Sequence, residues 1–137
     1  MSMNDTYNYT GVRLGAYKAF AAADGTTAFT GSAIDTSGFN SVMFSVSANY
    51  SAVDAATYAL SITHSDDGTT YTAATGDFII GPSAALSGSA NVQKIGYVGG
   101  RKYVKLVVTP SAAATSTNVI TVVGHAILSN PALMPVA

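Results

Sequence analysis

The chain has 137 residues, of which 48% are hydrophobic and only 9% are charged, against about 25% charged in a typical soluble domain. This length suits one domain with a real core. The net charge is −1, the six basic residues form no run that could follow a phosphate backbone, and cysteine is absent, which argues against nucleic-acid binding, disulfides and cysteine-based metal or catalytic sites.

The first third of the chain predicts an arm followed by strands. Residues 1–10 are polar and indicate an N-terminal arm, and residues 12–20 predict a strand. Residues 22–39 are rich in turn formers and hold a short strand or only a loop. Residues 41–47 alternate between apolar and polar side chains, which predicts a half-buried strand. Its predicted inward side chains are Val42, Phe44 and Val46.

The middle of the chain repeats the same signals. Residues 48–56 read as a loop, and residues 57–64 alternate again. The predicted inward side chains of this second strand are Tyr58, Leu60 and Ile62. Residues 81–90 are small and flexible, which indicates a loop, and residues 91–98 predict a strand.

The last third predicts a hairpin and one long strand. Gly99 and Gly100 lie between two strand-like runs, and Gly-Gly at such a position is a two-residue hairpin signal. The strand after it spans 101–109 and ends at Pro110, and residues 118–128 form the longest β-branched run of the chain. The tail from 129 contains two prolines and is predicted to lie outside the sheet.

These signals predict an all-β protein. Seven or eight strands separated by Gly, Ser and Thr turns favour an antiparallel sandwich or barrel, with no helix of convincing length. We expect a flexible N-terminal arm over 1–10, a single β-sandwich domain over 11–128 and a C-terminal tail over 129–137.

Acidic residues concentrate in the stretch HSDDGTTYTAATGDF, residues 64–78. Asp66 and Asp67 are adjacent, so on an extended chain they point apart, and no glutamate exists to complete an EF-hand loop. Asp-Asp-Gly between alternating runs is typical of a hairpin turn, which would pair the strand at 57–64 with one around Tyr71. A loose calcium site through Asp66, Asp67 and Asp77 stays open as the weaker alternative.

No residue set predicts catalysis. The aspartates at 24, 35, 66 and 67 all lie in probable turns, where a carboxyl group is solvated and poorly placed for acid–base work. The chain has no G-x-S-x-G elbow, and His64 and His125 have no zinc-ligand spacing. The glycines at 96, 99 and 100 precede a strand rather than a helix, so they do not form a phosphate cradle. We therefore assign no catalytic, cofactor-binding or metal-binding residue and expect no enzyme.

The N-terminus lacks the layout of a signal peptide, and no apolar run approaches the ~20 residues of a membrane span. We expect a protein that is made in a cytoplasm and used there or packed into a particle. With so few charges, a free monomer would be poorly protected against association. Much of the surface is therefore expected to be covered by copies of the chain or by a partner.

Four stretches together carry a family resemblance. They are AIDTSGFNSVMFSVSA, SITHSDDGTTYTAA, KIGYVGGRKYVKLVVTP, and the last β-branched strand running into SNPALMPV. Over roughly residues 33 to 135 the layout resembles the head decoration, or cement, proteins of tailed bacteriophages. The stretch most similar to that family is YVGGRKYVKLVVT.

The resemblance implies a jelly-roll-like β-sandwich on the outside of a virion capsid, without a cofactor. It implies two partners, the major capsid protein and the chain itself in a homotrimer. From the charge and the short apolar runs we expect neither a nucleic acid nor a membrane as a partner. The expected interface residues are Tyr7, Tyr9, Arg101, Lys102, Leu133, Met134 and Val136. Two alternatives stay open: another phage structural subunit, such as a tail tube, tail fibre or head fibre, and a carbohydrate-binding β-sandwich whose tyrosines stack on sugars.

Overall fold

The computed structural model describes residues 11–21, 24–49, 56–81, 85–87, 91–112 and 120–131. The predicted arm over 1–10 and the part of the tail beyond 131 lie outside these residues. Among the residues that the structure describes, no helix is long and apolar enough to cross a membrane.

The described chain folds into two antiparallel sheets. Sheet I has the strand order β1-β10-β4-β8-β7, and sheet II has the order β2-β9-β5-β6, with β3 also paired to β9. The strands of sheet I are β1 (Gly11–Phe20), β4 (Phe39–Asn49), β7 (Ile79–Ile80), β8 (Val92–Tyr97) and β10 (Ile120–Pro131). Those of sheet II are β2 (Phe29–Thr30), β3 (Ile34–Asp35), β5 (Tyr58–Ser65), β6 (Thr72–Ala73) and β9 (Tyr103–Pro110). The predicted all-β antiparallel sandwich is confirmed.

The core lies between the two sheets, and the alternation in the sequence predicted which side chains fill it. Val42, Phe44 and Val46 of β4 are buried, as are Tyr58, Leu60 and Ile62 of β5. Opposing positions come from β9 and β10, whose buried residues are Val104, Leu106, Val108, Ile120, Val122, Ala126 and Leu128. Each large apolar side chain buried in this way stabilises the fold by about 1.5–3 kcal/mol.

The predicted Gly-Gly hairpin was wrong. β8 belongs to sheet I and β9 to sheet II, so residues 98–102 carry the chain from one sheet to the other. A Cβ atom at Gly99 would collide with the Tyr97 hydroxyl, which also accepts a hydrogen bond from the Arg101 N–H at 3.4 Å. Glycine is present because the backbone passes closely over a tyrosine, not because a two-residue turn requires it.

One predicted pairing and one predicted boundary also differ from the structure. The strand β5 pairs with β6 through only two residues, Thr63 and His64, whereas it pairs with β9 along its whole length. The reason is that β6 is a short edge strand, while β9 lies in the interior of sheet II. The prediction that residues from 129 on lie outside the sheet was wrong as far as Pro131, which pairs with Phe39. Proline is tolerated there because it ends the strand.

Candidate docking surfaces

The acidic stretch forms the tip of a hairpin, as predicted. Gly68 adopts a φ of +77°, and β5 pairs with β6 beyond the turn. The Asp67 carboxylate accepts hydrogen bonds from the backbone N–H groups of Thr70 and Thr69 and from the Ser65 hydroxyl, each at 2.8 Å. These bonds favour the charged form and hold the pKa of Asp67 well below its usual range. The carboxylate therefore stabilises the turn.

The three aspartates of the calcium hypothesis, Asp66, Asp67 and Asp77, have different surroundings and different contacts. Asp66 faces Arg101 across an exposed gap, 3.7 Å from Oδ2 to Nη1, where such a pair contributes at most about 1 kcal/mol. Asp77 lies in the short 3-10 helix Gly76–Phe78. In the ranges that the structure describes, no three His, Cys, Asp or Glu side chains lie close enough together to hold a metal ion.

Four of the five described tyrosines do not present open rings to a sugar, and the fifth, Tyr17 of β1, is 61% exposed. Tyr58 and Tyr97 are buried in the core. The Lys105 ammonium lies 4.1 Å from the centre of the Tyr71 ring, and that of Lys102 lies 5.2 Å from the Tyr103 ring. These rings are occupied by core packing or by cation–π contacts. The carbohydrate hypothesis therefore gains no support from them.

A buried histidine and tyrosine join the two sheets. His64 of β5 is 5% exposed, and its Nδ1 lies 2.9 Å from the hydroxyl of Tyr97 on β8. The two rings meet edge to face, with centroids 5.6 Å apart. Because Tyr97 also accepts from the Arg101 N–H, this pair holds sheet II, sheet I and the crossing segment 98–102 together.

The buried histidine predicts a pH dependence of stability. Burial, and secondarily the charge of Arg101, lowers the pKa of His64 below its usual 6.5, while Asp66 opposes this. The unfolded chain therefore takes up the proton first, so the free energy of unfolding falls as the pH drops below about 6.5. Urea unfolding at neutral pH and at about pH 5 should show this fall in the wild type and much less of it in His64→Gln. A fall in His64→Gln as large as that of the wild type would contradict the assignment.

The crossing segment 98–102 brings two of the predicted interface residues to one end of the sandwich. The Thr36 hydroxyl donates to the carbonyl oxygens of Arg101 and Lys102, at 3.0 Å to each. Three residues on, the Phe39 N–H donates to the Thr36 carbonyl oxygen at 3.0 Å. The backbone of the basic pair is therefore fixed against the start of β4, while the Lys102 side chain is exposed.

Both terminal strands reach the same end. Pro131, the last described residue, pairs with Phe39, and Gly11, the first, pairs with Leu128. A Cβ atom on Gly11 would lie 3.6 Å from the Phe39 ring. We call this end, formed by Gly11, Thr36–Phe39, residues 98–102 and Pro131, the terminal end. The other predicted interface residues, Tyr7, Tyr9, Leu133, Met134 and Val136, lie outside the described residues.

A second surface, the outer face of sheet I, has two mostly apolar rows of side chains with a more polar row between them. One row crosses all five strands and consists of Val12, Ile127, Met43, Gly96 and Ile80. The next row is Leu14, His125, Ser45 and Lys94, and the one after it is Tyr17, Val123, Ser47 and Val92. Val12, Leu14, Tyr17, Ile80 and Val92 are 56–64% exposed. Among the described residues of this face, Lys94 is the sole Lys, Arg, Asp or Glu.

A groove of about 240 Å³ lies on this face, near the terminal end. Its walls include Met43 of β4, Ile80 of β7 and Val98, and Gly96 contributes no side chain to its floor. Contiguous exposed apolar surface of this kind marks an interaction site in soluble proteins. The row from Val12 to Ile80, which borders this groove, is therefore the part of the face that is most similar to an interface core.

Sequence reasoning missed this face, although one signal indicates it. The run over 118–128 has apolar residues at both its odd-numbered and its even-numbered positions. In the structure, β10 buries Val122 and Ala126 in the core, while Val123 and Ile127 point outward and are half-buried. A strand covered on both faces has such a continuous apolar pattern. A strand with one face exposed to solvent would instead alternate between apolar and polar residues.

No protein-family model and no curated protein matches the chain. Its fold is similar to that of a solved structure, the PBSX exported protein XepA, with a TM-score of 0.53 and 16% sequence identity. The match covers 93% of this chain and 39% of the XepA chain, so the present chain spans about two fifths of that protein's length. A likeness at this identity establishes the β-sandwich fold.

Proposed function

We propose that the chain is a structural virion protein of a bacteriophage, a decoration or cement protein that binds the outside of the capsid and stabilises its lattice. In this proposal it is made in the host cytoplasm, its partners are the major capsid protein and copies of itself, and it catalyses no reaction. The fold that it shares with XepA, a phage-related protein, agrees with the proposal.

One observation carries it: the terminal end gathers the attachment points of both terminal segments and the basic pair Arg101–Lys102. Gly11 and Pro131 lie beside Phe39, to which the backbone of the basic pair is tied through Thr36. A domain that has the ends of both terminal strands and two cations at one end presents a single surface to a lattice.

Stabilisation of the capsid then follows from mass action. A protein that binds the assembled shell and not its free subunits shifts the assembly equilibrium toward the shell, by an amount set by its concentration relative to its Kd. The bound sandwich needs no conformational change of its own. Its rigid two-sheet core holds the terminal end in a fixed shape.

Co-sedimentation with empty capsids, assembled from the major capsid protein encoded nearest to this chain, tests the proposal. The wild type is expected to sediment with the capsids at micromolar concentration and to raise their resistance to heat. The absence of binding would contradict the proposal, and rings or tubes of the protein alone in negative-stain images would favour a tail subunit instead.

The basic pair gives a sharper test. Arg101→Ala with Lys102→Ala is expected to weaken capsid binding by about tenfold, since each contact charge is worth up to about 1 kcal/mol. Lys102→Ala alone should account for part of this loss. The matched control is Lys18→Ala, which removes one cation near the opposite end of β1, and its binding should equal that of the wild type. Equal losses in Lys102→Ala and Lys18→Ala would show a nonspecific charge effect and contradict the assignment.

A further inference from the structure

The outer face of sheet I has no role in the proposal above, which uses the terminal end. We infer that this face closes against the same face of a second copy of the chain, about a twofold axis that runs along the strands between β10 and β4. This inference is independent of capsid binding, and its test contains no capsid.

The size of the face matches what a stable pair requires. At about 3.3 Å per residue and about 4.8 Å between strands, five strands of these lengths cover about 650 Å² in projection. Side-chain relief raises the accessible area above the projected one, toward the ~800 Å² that each partner buries in a standard interface. The contact therefore takes in the full width of β1, β10, β4 and β8 and leaves only the two-residue strand β7 outside it.

The composition of the face favours a copy of the same chain as its occupant. An interface between copies that stay together is more apolar than a transient one, and Lys94 is the one charged side chain among the described residues of this face. The described residues of the face include no acidic side chain that would attract a basic partner. Its two mostly apolar rows complement another surface of the same kind, and a second copy supplies one.

The position of Lys94 selects the axis. It lies on β8, near one edge of sheet I, while β1 forms the other edge. A twofold axis across the strands would place β8 on β8 and bring the two lysines together. An axis along the strands between β10 and β4 places β8 on β1, so that Lys94 faces the uncharged side chains of Val12, Leu14 and Tyr17 in the second copy. The lysine stem then packs on apolar surface while its ammonium reaches solvent at the rim.

The same axis matches shape. It sets β10 against β4, which brings the half-buried Met43 and Ile127 toward the centre of the contact, beside Ser45 and His125. It also places β1 over the groove beside Gly96, where the exposed Val12 and Leu14 side chains project. Two twisted sheets pack with their strands about 30° apart, which keeps β1 over β8 and leaves Lys94 unopposed by a like charge.

Sedimentation equilibrium of the full chain tests the pair. We expect a mass of twice 13.9 kDa for the wild type at micromolar concentration and a monomer for Val123→Asp. The matched control is Val107→Asp, at a half-buried position of the central strand β9 whose side chain lies on the outer face of sheet II; it should stay paired. A wild-type monomer, a three-copy mass as the resemblance to decoration proteins implies, or an unchanged mass for Val123→Asp would overturn the inference.

Charge substitutions at an exposed position test the axis without risk to the core. Leu14 is 56% exposed, so neither Leu14→Lys nor Leu14→Glu should affect folding, which a circular dichroism spectrum checks. Leu14→Lys, opposite Lys94 of the second copy, should dissociate the pair at least tenfold more readily than Leu14→Glu. Equal dissociation constants for the two variants would overturn the axis along the strands.

Discussion

Phe44→Ala is expected to lower the free energy of unfolding by about 3–5 kcal/mol, the usual cost of removing a buried phenylalanine side chain. Phe44 is fully buried near the middle of β4, between Ala126 of β10 and Ile95 of β8 in the strand pairing. Its ring also fills the space above Gly15, at the bulge of β1. Loss of the ring leaves a cavity that three adjoining strands line, and extended strands collapse into a cavity poorly.

Urea unfolding followed by circular dichroism measures this loss, with Phe78→Ala as the matched control. Phe78 is 48% exposed at the end of the short helix Gly76–Phe78, and its truncation should cost less than about 1 kcal/mol. Equal losses for the two variants would mean that β4 is not at the centre of the core. Both variants keep the terminal end and the outer face of sheet I unchanged.

Gly99→Ala is expected to lower the free energy of unfolding by about 1–3 kcal/mol, the range for inserting a methyl group into a filled space. Neither Gly99 nor Gly100 has a positive φ, so the cost is steric. The new methyl group would collide with the Tyr97 hydroxyl, and that hydroxyl cannot withdraw without leaving His64. The substitution therefore strains the link that holds the two sheets and the crossing segment together.

Gly100→Ala provides the comparison for this effect, one residue away. A Cβ atom at Gly100 meets nothing within 4 Å, so its free energy of unfolding should stay within about 0.5 kcal/mol of the wild type. The same urea titration measures both variants. A loss in Gly100→Ala as large as that in Gly99→Ala would indicate a general need for glycine flexibility and contradict the steric explanation.

The sequence predicted the fold class and the inward faces of its clearest strands because burial and alternation are coupled in a sheet. Val42, Phe44 and Val46 follow from period 2 alone. The partners of each strand did not follow, since alternation says which side of a strand faces the core but not which strand lies beside it. The Gly-Gly prediction failed for this reason. A glycine that is needed because a tyrosine lies close to the backbone cannot be told apart in sequence from a glycine that forms a turn.

The surfaces were predictable to different degrees. Arg101 and Lys102 were predicted from the sequence to be interface residues, but their proximity to Gly11 and Pro131 depends on pairings across more than a hundred residues, such as that of Gly11 with Leu128. The outer face of sheet I combines one to three residues from each of five strands in the three rows described above. Each of them, like Met43 or Ile80, is unremarkable in its own segment, and only the register aligns them in rows.

The position of β10 in sheet I has a consequence for biosynthesis. This last described strand lies between β1 and β4. Neither β1 nor β4 can therefore pair with β10 until β10 has left the ribosome. At about 5–20 residues per second, the roughly one hundred residues between β1 and β10 take about 5–20 s to synthesise. During that interval β1 is an unpaired, partly apolar strand, so sheet I is completed after translation of β10, and a nascent chain waiting for β10 is the form most in need of a chaperone.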